Sequence, residues 1–151
     1  MMQTDHYQKI LVAVDFSQQT DSVVQKAFSL KQKYDAEIEL IHVVEIPVYP
    51  VLEDIAVTGM PGIWDEEITQ QVVESAKQKL EKLADEYTIQ QFKVIPGLAK
   101  VDIVDYASKH AVDLIVMGAH GLSGIQRLIG STTNSVINHA ECDVLCVRIG
   151  K

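Results

Sequence analysis

Cysteine, proline and tryptophan are scarce in this chain: two Cys, four Pro and one Trp among 151 residues. Cys142 and Cys146 are too few for a disulfide framework. Their C-x-x-x-C spacing matches neither a redox C-x-x-C nor a zinc knuckle. His139 lies just upstream and would complete only a weak metal cluster, while the apolar run around Cys146 predicts a buried thiol. Positive charge is also short, with 13 Lys and Arg against 21 Asp and Glu and a formal net charge of -8. That balance lacks the basic footprint that nucleic acid or an anionic membrane requires. No run approaches the roughly 18–20 apolar residues that span a bilayer. Met1 to His6 place no basic region before an apolar stretch, so no signal peptide is expected and the expected compartment is the cytoplasm.

What is present is alternation. Lys9 to Val14 is a continuous apolar run that reads as a buried strand, and Thr20 to Tyr34 follows with Val23, Val24, Ala27, Phe28 and Leu30 at helical spacing. Glu37 to Val44 predicts a second strand. Glu45 to Asp65 breaks the pattern with three prolines and two glycines, too long for a simple turn. Glu66 to Tyr87 resumes helical spacing through Val72, Val73, Ala76, Leu80, Leu83 and Ala84. Phe92 to Ile95, Leu114 to Met117 and Val144 to Ile149 read as strands, and Val101 to His110 and Ser131 to His139 as helices. Strand and helix therefore alternate through one expected domain, 1–151, with a single open five-stranded parallel sheet and helices on both faces, a Rossmann-like α/β fold.

In such sheets, ligands sit outside the carboxyl ends of the strands, so the strand-to-helix loops carry function. Two are distinctive. Asp15-Phe16-Ser17 follows the first strand. Gly118-Ala119-His120-Gly121-Leu122-Ser123-Gly124 follows the fourth and leads to Gly130-Ser131-Thr132-Thr133 at the start of a predicted helix. Glycines let the backbone approach a ligand. A helix N-terminus offers unpaired N–H groups and the positive end of its dipole to an anion, and three hydroxyls add further donors. Ser131 also suits the N-cap of that helix. The chain has no G-x-x-x-x-G-K-[ST] and no G-x-G-x-x-G after its first strand, so it is neither a P-loop NTPase nor a standard dinucleotide fold. G-x-S-x-G is missing too, because Ile125 stands where the last glycine would be.

Ile10-Leu11-Val12-Ala13-Val14-Asp15-Phe16-Ser17, Leu40-Ile41-His42-Val43, Val112 through Gly121, Gly130-Ser131 and Cys142 through Arg148, taken in order, resemble a universal stress protein over nearly the whole chain. The resemblance is to the ATP-binding branch, whose G-x2-G-x9-G-[ST] pattern is matched by Gly118, Gly121, Gly130 and Ser131. Leu122 to Ile129 is eight residues, one short of the pattern, and Gly97-Leu98-Ala99 stands where the family often has G-x-P.

This resemblance implies an adenine-nucleotide alpha-hydrolase-like fold and ATP as ligand, with or without Mg2+. It implies that Asp15 accepts hydrogen bonds from the ribose, where helix capping is its structural alternative. Ala13 and Val43 would flank the adenine, unless they serve as plain core, and Met117 would border it. Gly118, Gly121, Gly130, Ser131 and Thr132 would wrap the phosphates. Arg127 and His120 are candidate phosphate contacts, set against a solvated arginine and a loop histidine with local hydrogen bonds. His42 reads as a satisfied strand histidine. A two-fold homodimer through the last strand, Val144 to Ile149, is also implied. Without a P-loop lysine or an obvious water-positioning carboxylate, any hydrolysis is expected to be slow. The alternative is a dimeric interaction protein of the same fold that uses no nucleotide. An adenylating ligase would carry a serine- and glycine-rich loop in place of Asp15-Phe16-Ser17-Gln18-Gln19.

Overall fold

The computed structural model describes residues 6–45, 66–120 and 129–148. In chain order the elements are β1 (Lys9–Ala13), α1 (Thr20–Tyr34), β2 (Glu37–Val44), α2 (Glu66–Glu86), β3 (Gln91–Pro96), α3 (Ala99–Lys109), β4 (Leu114–Gly118), α4 (Ser131–His139) and β5 (Asp143–Val147). All strand pairs are parallel, in the order β3-β2-β1-β4-β5. The chain builds outward from β1 to β3 and then returns to lay β4 on the other side of β1. The topological switch point therefore lies between β1 and β4.

A strand buried on both faces needs apolar residues at every position rather than at alternate ones. Ile10, Leu11 and Val12 satisfy this, each fully buried. Ile10 and Val12 join a core with Val23, Val24 and Ala27 of α1 and Leu80 and Ala84 of α2. Leu11 points the other way, into a core with Ile103 and Ala107 of α3 and Val136 of α4. Two polar residues interrupt the run on β2, Glu39 and His42. Glu39 is buried, and the Tyr106 hydroxyl of α3 donates to its carboxylate at 2.6 Å. Burial and that acceptor together hold the Tyr106 phenol well above its usual range.

The amino end of the sheet is tied by Asp113. Its carboxylate accepts from the Gln8 and Lys9 amides at 2.7 and 3.1 Å, while its own amide donates to the Lys9 carbonyl. Tyr7, just before β1, donates its hydroxyl to Asp143 of β5 at 2.8 Å. That hydrogen bond is the main reason the Tyr7 phenol is pushed up from 10.0 to about 12. A raised folded pKa means the contribution is complete below pH 10 and lost as pH rises through about 12. Tyr7→Phe is therefore expected to flatten part of the fall in urea midpoint between pH 10 and 12. An unchanged profile would show that the bond contributes nothing.

Several element limits differ from the sequence pattern. The third helix starts at Ala99, two residues before the expected Val101, because Asp102 reaches back to accept from the Leu98 amide at 2.7 Å. A Cβ on Gly97, with φ of 158°, would overlap that carboxylate and displace it from the Leu98 amide, so glycine suits the position. Pro96 extends β3 by a residue, which an edge strand tolerates. Val14 leaves β1 yet stays buried, its amide donating to Ile41 O at 2.8 Å. Val72, expected on the core face of its helix, is 47% exposed. Cys146 is half-buried rather than buried, because β5 is an edge strand; partial burial still raises both thiol pKa values. Ile149 and all but the first residue of Glu45 to Asp65 lie outside the described residues.

Candidate functional site

Outside the carboxyl ends of β1, β2 and β4 the structure holds a cavity of about 750 Å³. That size is in the range of small-molecule sites, roughly 300–1,000 Å³. Ala13 ends β1, Val43 nears the end of β2, and Met117 nears the end of β4; all three line the cavity. Each also packs in the core on the α3 and α4 side, so the cavity floor is continuous with that core. Asp15 lies in the loop after β1. Gly118, His120, Gly130, Ser131 and Thr132 form the wall toward α4. Gly121 and Arg127 lie outside the described residues.

The helix N-termini around this cavity differ in charge. Acidic residues occupy the first turn of α1 (Asp21), α2 (Glu66 and Glu67) and α3 (Asp102), and α4 has none. At α3 the acids also use up the amides: Asp102 accepts from Leu98, and Glu45 accepts from Ala99 at 3.1 Å. At α4 the first intrahelical bond runs from the Asn134 amide to Gly130 O at 2.9 Å. The amides of Ser131, Thr132 and Thr133 thus precede the ladder, at the positive end of the helix dipole.

The N-cap of α4 is Gly130, in extended conformation, rather than Ser131, which is the first helical residue. Thr133 also departs from expectation. Its hydroxyl is buried and donates to the Gly118 carbonyl at 2.8 Å, so its hydrogen is spent on tying α4 to β4 although the residue lines the cavity. Ser131 and Thr132 keep the two remaining hydroxyls at the cavity wall. Asp15 does not cap α1, whose N-cap is Gln19; instead its carboxylate accepts from the Ser17 amide at 2.9 Å, shaping the loop.

Part of the wall escaped the sequence pattern. Helix α2 has 21 residues, about 31 Å at 1.5 Å per residue. Its neighbour β3 has six, about 20 Å at 3.3 Å per residue. The helix therefore overshoots the sheet, and Gln71, Ser75 and Lys79, one turn apart, line the cavity along with Val72. The i, i+4, i+8 spacing of polar residues was visible, but it is also that of a solvated face. Phe16 was missed as well. It has φ of 58°, a left-handed value that costs a non-glycine residue about 1–3 kcal/mol. Its ring lies 4.5 Å from that of His42, with Lys79 Nζ 5.9 Å above it. His42 is a satisfied histidine, since its Nδ1 donates to Val14 O at 2.6 Å.

An open parallel sheet with its cavity at the switch point defines a Rossmann-like α/β protein. Residues 6–148 match the model of the universal stress protein family. The chain is 38% identical over 149 residues to universal stress protein A homolog 2 of Coxiella burnetii, covering 96% of this chain and 97% of that one. Among solved structures it superposes on UspA of Lactobacillus plantarum with a TM-score of 0.77 at 27% identity, covering 96% and 100% of the two chains. It superposes on MJ0577 of Methanocaldococcus jannaschii with a TM-score of 0.78 at 27% identity, covering 96% and 98%. The chain belongs to the universal stress protein family.

Proposed function

We propose that this protein binds an adenine nucleotide, ATP in the first place, as a regulatory module in stress response and not as a turnover enzyme. The acid-free N-terminus of α4, opening on a cavity that Ala13, Val43 and Met117 also line, carries this reading. A nucleotide is a polyanion joined to a flat heterocycle, and the cavity lining offers both apolar side chains and a helix N-terminus. Ala13, Val43 and Met117 supply the apolar walls for the base. Asp15 lines the same cavity, and beyond its bond from the Ser17 amide its carboxylate keeps acceptor capacity for ribose hydroxyls. Gly118 lets the backbone come close, while the Ser131 and Thr132 amides and hydroxyls meet the phosphates. Among the described residues no group of three or more His, Cys, Asp or Glu side chains is disposed to hold a metal ion. Mg2+ would therefore arrive on the phosphates. Nucleotide-free protein at about 100 times the dissociation constant of ATP should gain about 2.7 kcal/mol. That is a rise in melting temperature of roughly 5–10 °C. No rise with ATP, or an equal rise with GTP, would overturn the reading.

We assign the outer edge of β5 to a second copy of this chain. The strand is half-exposed, and among the described residues no strand pairs with its outer side. No helix among the described residues is long and apolar enough to cross a membrane, and a net charge of -8 weighs against nucleic acid as partner. Light scattering should give twice the chain mass at micromolar concentration, and a monomer there would contradict the assignment.

A further inference from the structure

The cavity straddles the carboxyl edge of the sheet. Successive residues of a strand point to opposite faces. Ala13 belongs to the core on the α3 and α4 side, Val14 to the core on the α1 and α2 side, and both line the cavity. On β2, Val43 packs on the α3 side, while the adjacent His42 meets Phe16 on the other. The nucleotide reading uses only one of these sides, since Ala13, Val43, Met117 and the α4 N-terminus all stand with α3 and α4. The α1 and α2 side of the same cavity keeps Phe16, His42 and the polar row Gln71, Ser75 and Lys79.

Lys79 differs from the other lysines of its helix. Lys77 has Glu74 and Glu81 one turn away on either side, and Lys82 has Asp85 and Glu86. The same positions around Lys79 hold Ser75, Ala76, Lys82 and Leu83, so its own helix offers it no counter-ion. Among the described residues that line the cavity it is the one Lys or Arg, in a chain of net charge -8. Glu45, at the end of β2, is drawn to the α3 side, where its carboxylate accepts from the Ala99 amide.

The two sides of the cavity meet at the loop after β1. Asp15, which the nucleotide reading gives to the ribose, is followed directly by Phe16. The left-handed φ of 58° at Phe16 is a strained value of the kind that clusters at ligand sites. Its ring packs on the α1 and α2 side, and Lys79 Nζ stands 5.9 Å from the ring centre. A cation therefore waits one residue on from the ribose position, on the face of the sheet opposite the α4 N-terminus.

We propose that Lys79 marks a second anion subsite, which takes a phosphate carried on the ribose 2′ or 3′ oxygen of the nucleotide. This rests on the nucleotide reading and narrows its ligand class to adenine nucleotides phosphorylated at both ends of the ribose. The phosphate on the 5′ oxygen goes to α4. The one on the ribose ring crosses the sheet edge to the Lys79 ammonium, a point charge suited to phosphate. The ribose hydroxyl that stays free still donates to Asp15. Asp15 is exposed, so water screens its charge from the second phosphate.

The test is calorimetric titration of the full chain with AMP, adenosine 2′,5′-bisphosphate and adenosine 3′,5′-bisphosphate, for the wild type, Lys79→Met and Lys79→Arg. Methionine keeps an apolar stem over Phe16 without the charge, and Lys79 is exposed, so both variants should fold. In the wild type one bisphosphate should bind at least about fivefold tighter than AMP, the yield of a modest charge-assisted hydrogen bond. Lys79→Met should erase that advantage and leave AMP within about twofold, and Lys79→Arg should keep it. The isomer that gains identifies the oxygen that carries the group. Wild type that binds AMP as tightly as both bisphosphates would overturn this inference alone. An advantage that survives in Lys79→Met, or an equal loss for AMP and the bisphosphates there, would overturn it too. Wild type that binds none of the three, nor ATP, would overturn the nucleotide reading and this inference with it.

Discussion

Gly118→Val should abolish measurable ATP binding, with a loss of at least about 100-fold in affinity, which corresponds to about 2.7 kcal/mol. Gly118 ends β4 at the switch point, with the cavity on one side and the N-terminus of α1 on the other. A Cβ there would stand 3.1 Å from Gln19 Oε1 and 3.5 Å from Val23 Cγ2. A single methyl can be met by a shift of the glutamine, so Gly118→Ala should be mild. Two further methyls have no such outlet. They must turn toward the α1 core or into the space where a phosphate would approach the backbone. Overpacking of this kind also costs stability, about 1–3 kcal/mol. Calorimetry on the folded variant separates the two effects. ATP binding by a well-folded Gly118→Val protein would mean that the ligand does not approach this strand end.

Thr133→Val is the second large effect. Valine matches threonine in shape, so packing is kept and the hydroxyl alone is lost. Thr133 is 4% exposed, and its bond to the Gly118 carbonyl is a side-chain tie between β4 and α4. Removing it leaves that carbonyl facing an apolar group, at a cost of about 1–3 kcal/mol. For a chain of this length the melting temperature should fall by roughly 2–12 °C. ATP affinity should fall as well, because the same tie fixes where the α4 amides stand relative to Gly118. Thr133→Ser keeps the hydroxyl and should hold affinity while losing a little packing. An unchanged melting temperature in Thr133→Val would show that the tie is not energetically engaged.

How far the fold was legible depended on which interactions set each boundary. Strands β1 and β4 are apolar at nearly every position because both faces are covered, and that signal survives in any reading of the sequence; β2 keeps Ile38, Leu40, Ile41, Val43 and Val44 beside Glu37, Glu39 and His42. The limits of α1, β2 and α4 also followed from pattern alone. The start of α3 did not, since it depends on Asp102 folding back over Leu98, a contact with no periodic trace. Val72 was misplaced because amphipathic spacing gives the face of a helix but not how far the helix runs past its sheet.

The site divides similarly. Ala13, Asp15, Val43, Met117, Gly118, His120, Gly130, Ser131 and Thr132 were chosen from loops and a family pattern, and they line one cavity. Their chemical duties were harder to see. Three adjacent hydroxyls look alike in sequence and all three residues line the cavity, yet the Thr133 hydroxyl donates to the Gly118 carbonyl of the neighbouring strand. The lack of acid in the first turn of α4 was readable in the sequence. Its meaning emerged only beside α1, α2 and α3, each of which carries an acid at the same point. Lys79 and the left-handed Phe16 belong to contacts between elements far apart in the chain, and no local spacing encodes those.

The most direct test of nucleotide binding at the switch point is a map of backbone amide shifts as ATP is titrated into isotope-labelled protein. Perturbations should concentrate at Asp15 and Phe16, Val43 to Glu45, Met117 to His120 and Gly130 to Thr132, with β3 and the amino ends of the strands unmoved. Perturbations centred elsewhere, or none at saturating ATP, would contradict the assignment of this cavity.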